Sequence, residues 1–259
     1  SLNNGSFILF NPPQTTSPLS ITGLTNGTTY NVQIKSVTSV GESLLSSNVY
    51  SGVPLSVPSE PIITSIKPED QKLIVYFTEG NNGGSLITNY QYAIEGINSG
   101  FFANFDPSQT TSPLTISTSV TAGVFLTNGS SYNVRIRAIN SIGIGISSNT
   151  FSGYPATVPS PPSIISYTNL YNSAQISIFN NNNNGGSPFT NYEYSIDNGF
   201  SWTGLNPPQT SENVTFTILN LISQYTYNIK VRTLNIVGSS EPSTAVSVTH
   251  YTTPNAPTI

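Results

Sequence analysis

The chain has 259 residues, with 7 Lys and Arg, 11 Asp and Glu, 1 His, and neither Cys nor Met. Without Cys there is no disulfide, no thiolate nucleophile and no zinc–cysteine site. A net charge of −4 argues against binding nucleic-acid phosphates.

Only 7% of residues are charged, against roughly a quarter in an ordinary soluble domain. Polarity is carried instead by Asn, Ser and Thr, which make up 100 of the 259 residues. Disordered chains are poor in aromatic and β-branched residues, whereas this one holds 14 Tyr and 12 Phe. The longest apolar runs, such as Leu73–Phe77, are strand-sized and too short to span a membrane. An all-β protein of about two domains is predicted, at roughly 100–200 residues each. The N-terminus has no initiator Met, no basic region and no apolar leader, so a removed signal or a window on a longer chain is expected.

In chain order, the first repeated element is LTNGTTY at 24–30, matched by LTNGSSY at 126–132 and LISQYTY at 221–227. Each opens an alternating stretch, YNVQIKSV, YNVRIRAI and YNIKVRTL, closed by Gly41, Gly143 and Gly238. Alternation predicts strands with Tyr30, Val32 and Ile34 inward, then Tyr132, Val134 and Ile136, then Tyr227, Ile229 and Val231. Lys35, Arg135, Arg137, Lys230 and Arg232 fall on the outer face, where solvated charges guard against edge pairing. A second element, NNGGSLITNYQY at 81–92, recurs as NNGGSPFTNYEY at 183–194. A third, NPPQTTSPLSI at 11–21, recurs at 106–116 and 206–216. The period near 100 residues is a domain period, too long for a solenoid, and short strands between Pro, Gly and Asn clusters predict sandwiches. The Pro-rich stretches 52–61 and 153–162 predict extended, semi-rigid linkers.

The run L-x-N-G-T-x-Y-x-V-x-I, its closing Gly and the Pro-rich start of the next unit resemble fibronectin type III repeats. The resemblance covers essentially the whole chain and implies tandem seven-stranded immunoglobulin-like β-sandwiches, two complete and one N-terminally truncated. It implies a tyrosine corner at Tyr30, Tyr132 and Tyr227, each six residues after a Leu. The family's core Trp on strand B is replaced, with Phe77 and Phe179 at the matching places. The Asn-Gly-Gly-Ser loops and the S-I-D-N-G-x-S-W hairpin resemble copies in bacterial, phage or large-virus surface proteins. The repeats are then 1–54 (strands C′ to G only), 55–156 and 157–252, with 253–259 starting a linker to a further repeat. Ser1–Phe10 aligns with Ser195–Leu205, so residues 1–54 are expected to show an uncovered apolar face. Truncation from a longer array explains this, and strand addition by a partner is the alternative.

Catalytic residues are not predicted. His250 stands alone near the C-terminus, Glu69–Asp70 mark a turn, and Glu193 with Asp197 read as a solvated pair. The Gly-rich runs 82–85 and 184–187 lack the Lys and helix of a phosphate cradle, and Gly143 and Gly145 lack the helix; both read as loops needing positive φ. Asn180–Asn184 brings amides without the carboxylates that calcium requires, so no metal or cofactor is predicted. Phe7, Phe102 and Trp202 lie five residues before Pro12, Pro107 and Pro207. They read first as packing residues of strand C′, and otherwise as contacts for a protein or glycan. Asn4, Asn26, Asn128 and Asn213 begin N-x-S/T sequons, acceptors only in a glycosylating host.

The expected function is a non-catalytic spacer or adhesion segment of a fibrous extracellular, cell-surface or virion-surface protein. Its partners would be neighbouring repeats and a surface receptor, glycan or structural protein, with no nucleic acid and no membrane insertion. Two alternatives stand beside it: an accessory binding module of a secreted carbohydrate-active enzyme, and a capsid- or tail-associated subunit that packs laterally.

Overall fold

A computed structural model describes residues 1–95, 97, 100–119, 124–181 and 183–249. His250 and the segment 253–259 therefore lie outside the described residues. Twenty strands and no helix are found among those described. They form two compact units, one of Ser1–Thr64, Tyr76–Leu114 and Val134–Phe151, the other of Ser65–Val75, Thr115–Asn133 and the residues from Ser152 on. Residues of the second repeat fall in both.

The first repeat carries β1 (Tyr30–Val32), β2 (Val37–Thr38), β3 (Gly41–Glu42) and β4 (Tyr50–Gly52). The second carries β5 (Ile62–Glu69), β6 (Lys72–Thr78), β7 (Ile87–Ile94), β8 (Ala103–Asn104), β9 (Leu114–Ile116), β10 (Thr118–Ser119), β11 (Val124–Phe125), β12 (Tyr132–Asn140) and β13 (Phe151–Gly153). The third carries β14 (Ser163–Leu170), β15 (Ser173–Phe179), β16 (Asn191–Ser195), β17 (Thr203–Gly204), β18 (Asn213–Leu219), β19 (Thr226–Leu234) and β20 (Val246–Thr249). The second and third repeats have the same topology: sheets of order β5-β6-β9 and β13-β12-β7-β8 in one, β14-β15-β18 and β17-β16-β19-β20 in the other.

Period-two burial builds the third repeat. In β19, Tyr227, Ile229 and Val231 are buried while Asn228 is exposed. They share one cluster with Ala174, Ile176 and Ile178 of β15, Val214 and Ile218 of β18, and Tyr192 of β16. Burying each large aliphatic side chain contributes about 1.5–3 kcal/mol, so this interior outweighs the surface ion pairs. The same parity holds in β12, where Val134, Ile136 and Ala138 are buried.

The strand B expectation is half corrected. Phe77 is buried, but Phe179 is 36% exposed. The inward set of β15 runs Ala174, Ile176, Ile178, so Phe179 falls on the outer parity, paired with Asn213 at the strand end.

The first repeat departs from the others in burial. Ser1–Asn3 pair with the Tyr-led strand, through a bridge of Leu2 to Val32 and the bond from Asn3 N to Asn31 O. Among the described residues, no strand in this repeat occupies the place that β15 holds in the third. Ile34, predicted inward, is accordingly 43% exposed, and Val32 is half-buried. Phe10, Leu19, Ile21, Val32 and Ile34 line an open depression of about 470 Å³. Leu19 and Ile21 match Val214 and Phe216 of β18, yet form no strand, because they have no neighbour to pair with.

Truncating the cluster at Ile176→Ala is expected to cost about 2–5 kcal/mol, the usual range for emptying a fully buried aliphatic site. Ile34→Ala in the first repeat should cost well under that. Denaturant unfolding of the two variants beside the parent measures both.

Candidate functional site

The outward side of each Tyr-led stretch places an aromatic ring beside one or two cations. Lys35 Nζ lies 4.8 Å from the centroid of Phe7. The Arg137 guanidinium lies 4.0 Å from Phe102, with Arg135 at 5.5 Å. In the third repeat, the Arg232 guanidinium lies 4.3 Å from Trp202. The strand alternation explains the placement: inward residues hold the core, so the basic residues project outward beneath the hairpin that ends in β8 or β17. Planar guanidinium groups stack well on aromatic faces, and partial removal from water strengthens the attraction.

These cations are further tied down. Arg137 Nε donates to Gln91 Oε1 at 2.7 Å, and Gln91 Nε2 donates to Asn104 Oδ1 at 2.8 Å. Arg232 Nε donates to Glu193 Oε2 at 2.6 Å. The basic residues are therefore not simply solvated guards against edge pairing. Glu193 does not form a solvated pair with Asp197 either, because it is held by Arg232.

Asp197 instead organises the hairpin that carries Trp202. Its carboxylate accepts from Ser195 Oγ, Ser201 N and Ser201 Oγ at 2.6, 2.9 and 2.5 Å. Those donors, Ser195 first, hold its pKa well below the ordinary carboxylate range. Asn198 N donates to Asn228 O, which anchors the tip to β19. The tip presents Phe200, which is 94% exposed, beside the half-buried Trp202. Phe101 is likewise exposed beside Phe102. The sequence reading named Trp202 and Phe102 but missed these neighbours. Adjacent side chains in an extended hairpin arm point apart, so alternation could have signalled Phe101 beside Phe102, but not Phe200, which stands two residues from Trp202.

The three tyrosine hydroxyls each accept one backbone N–H from five residues upstream. Thr25 N donates to Tyr30 Oη at 3.0 Å, Thr127 N to Tyr132 Oη at 2.9 Å, and Ile222 N to Tyr227 Oη at 2.9 Å. The donated bond lowers the Tyr30 pKa from its usual value. Tyr90 and Tyr192, buried in β7 and β16, move the other way: burial first, then Glu79 or Glu212, pushes each up to about 12.

The sequon asparagines have different surroundings. Asn26 Nδ2 donates to Ser56 Oγ and Asn128 Nδ2 to Asp70 Oδ1, both at 2.8 Å. Asn4 and Asn213 are exposed. Among the described residues, no three His, Asp or Glu side chains gather as a metal site.

No family model matches the sequence. Among solved structures, the FN1-FN3 domains of chicken CNTN1 are similar, with a TM-score of 0.52 over 88% of this chain and 79% of that one. Sequence identity is 16%, so the likeness carries the fold alone. The fold is all-β, a tandem of immunoglobulin-like sandwiches of the fibronectin type III kind, two complete and one holding only the later strands.

Asp197 should make stability fall in acid. Its folded pKa lies below the ordinary 3.8, so its contribution is present above that value and is lost as pH falls through the lower folded one. Thermal melts from pH 5 to 2 should show Asp197→Asn less stable than the parent near pH 5, with the gap closing towards pH 2. At the alkaline end the sign reverses. Tyr90 and Tyr192 hold their protons longer when folded, so their contribution is present below pH 10 and declines from there towards about 12. Absorbance titration at the phenolate band should show two late-ionising tyrosines, one of them removed by Tyr192→Phe.

Proposed function

We propose that this chain is a non-catalytic spacer and adhesion segment of a fibrous protein on an extracellular, cell or virion surface. The supporting observation is repetition: an aromatic–cation contact recurs at the same place in all three repeats, on a strand scaffold that the second and third share. A scaffold repeated without a unique chemical constellation suits distance and multivalent contact better than turnover. The proposed units are 1–54, 55–156 and 157–252, with 253–259 leading to a further repeat.

Adhesion would use the hairpin-tip aromatics, with Trp202, Phe102 and Phe7 as contacts for a surface receptor, glycan or structural protein. Asn4 and Asn213 are the sequons best placed for glycan attachment in a glycosylating host. An Asn/Ser/Thr surface of low charge gives no electrostatic draw to nucleic acid or to lipid headgroups.

A second reading, lateral packing in a shell or tail, is favoured by Val40, Leu44 and Leu45, which stand almost fully exposed after β2 and β3.

The deciding experiment removes residues 157–252 from the protein on its native cell or particle and images the product. Under the proposal, the projection shortens by one repeat and attachment weakens. An unchanged projection with a collapsed shell or tail lattice would favour lateral packing, and loss of a hydrolytic activity would favour an enzyme accessory module.

A further inference from the structure

The N-N-G-G-S loops have a use beyond turning the chain. In the first unit, Gly84 lies against Gly27 of the Leu-Thr-Asn-Gly turn so closely that a Cβ on Gly84 would overlap Gly27 N and Cα. A Cβ on Gly83 would overlap Ser56 O in the linker. Both glycines hold positive φ, 70° and 82°. Backbone bonds close the contact: Gly27 N to Pro54 O, Ser56 N to Gly83 O and Ser59 N to Asn81 O, each 2.9 Å. Asn140, buried at the end of β12, seals it. Its amide donates to Ser56 O and Asn82 O at 2.7 and 2.9 Å, and its oxygen accepts from Ile142 N and Gly143 N.

The second unit holds the same arrangement. Gly186 lies against Gly129, and Gly185 against Thr157 O. Gly129 N donates to Pro155 O, Thr157 N to Gly185 O and Ser160 N to Asn183 O, at 2.9, 2.8 and 2.9 Å. Asn235 takes the place of Asn140, donating to Thr157 O and Asn184 O at 2.7 and 2.9 Å. It accepts from Val237 N and Gly238 N. Two independent occurrences with the same partners make this a built interface. Backbone groups bonded across the contact resist opening, because an opened donor or acceptor goes unpaired until water replaces its partner.

We propose that the Gly-Gly loop is a docking element whose partner is the Asn-Gly turn and linker of the preceding repeat, and that it locks each such joint in one geometry. The code is three small features: Gly at the turn, Gly-Gly in the loop, and Asn eight residues after the corner tyrosine. The third turn reads Ser223-Gln224, with Gln224 at φ 62° where Gly27 and Gly129 stand. A Cβ at Gly27 or Gly129 would stand 3.0 or 3.1 Å from the Cα of Gly84 or Gly186, closer than ordinary contact, so a residue with a side chain at this place crowds such a loop. The inference holds whether the chain is a spacer or a lateral-packing subunit, because it concerns the joint and not what the surface touches.

Gly129→Gln tests it, since the third repeat already tolerates Gln at positive φ in the same turn. Amide hydrogen exchange of the whole chain reads the result. The parent should protect Ser56 and Thr157. Gly129→Gln should speed exchange at Thr157 at least tenfold, leaving Ser56 and the β19 amides protected. Gly27→Gln should do the converse. Gly23→Ala, also at positive φ but with open space around it, should change neither joint. Fast exchange at both linker amides in the parent, or full protection of Thr157 in Gly129→Gln, overturns the proposal. Should Gly129→Gln also lower β19 protection, Asn235→Ala replaces it, with the same two outcomes read at Thr157.

Discussion

Each repeat depends on covering one stripe of side chains. A strand that alternates Tyr, Val or Ile with polar residues gains its stability only when another sheet closes over the apolar set. In β19 the cover is β15, and Tyr227, Ile229 and Val231 are dry. In the first repeat the same letters meet no such sheet among the described residues, so β1 is short and Ile34 stays wet. Alternation is a request for burial, and packing decides whether it is met.

The inner requirement shapes the outer face. Because parity sends the apolar residues inward, Arg137 and Arg232 must leave on the other side, beneath an aromatic. There they serve as flat, partly dried cations stacked on Phe102 and Trp202 and bonded to Gln91 and Glu193. A chain with so few charges thus uses several of them for internal fit. Asp197 is another, since its oxygens hold the hairpin that lifts Phe200 into solvent. Beyond these internal contacts, the hairpin tips carry the exposed rings of Phe101 and Phe200.

The joints follow a different logic. They are made by the absence of side chains: two backbones approach within a distance no Cβ permits, and an Asn amide bridges the carbonyls left over. Gly-Gly in a loop reads locally as conformational freedom, yet here it gives the tight contact on which docking rests. The same two residues therefore look loose in sequence and fixed in structure.

Local pattern was enough for the strand content, the three-fold repeat, the inward and outward faces of β12 and β19, and the matching places of Phe7, Phe102 and Trp202. All of these depend on period, which a sequence displays directly. It was not enough to place Phe179, whose parity is set by where β15 begins its alternation rather than by its resemblance to Phe77. Nor did it reveal what lies over each aromatic, or that Asn140 and Asn235 face linker carbonyls. Those relations join residues 28 to 84 positions apart, and no local signal records a distance across such a loop. The sequence by itself determined which residues must seek burial and which must stay wet. Only the tertiary structure decided which were granted it, because burial requires a second surface, and that surface comes from elsewhere in the chain.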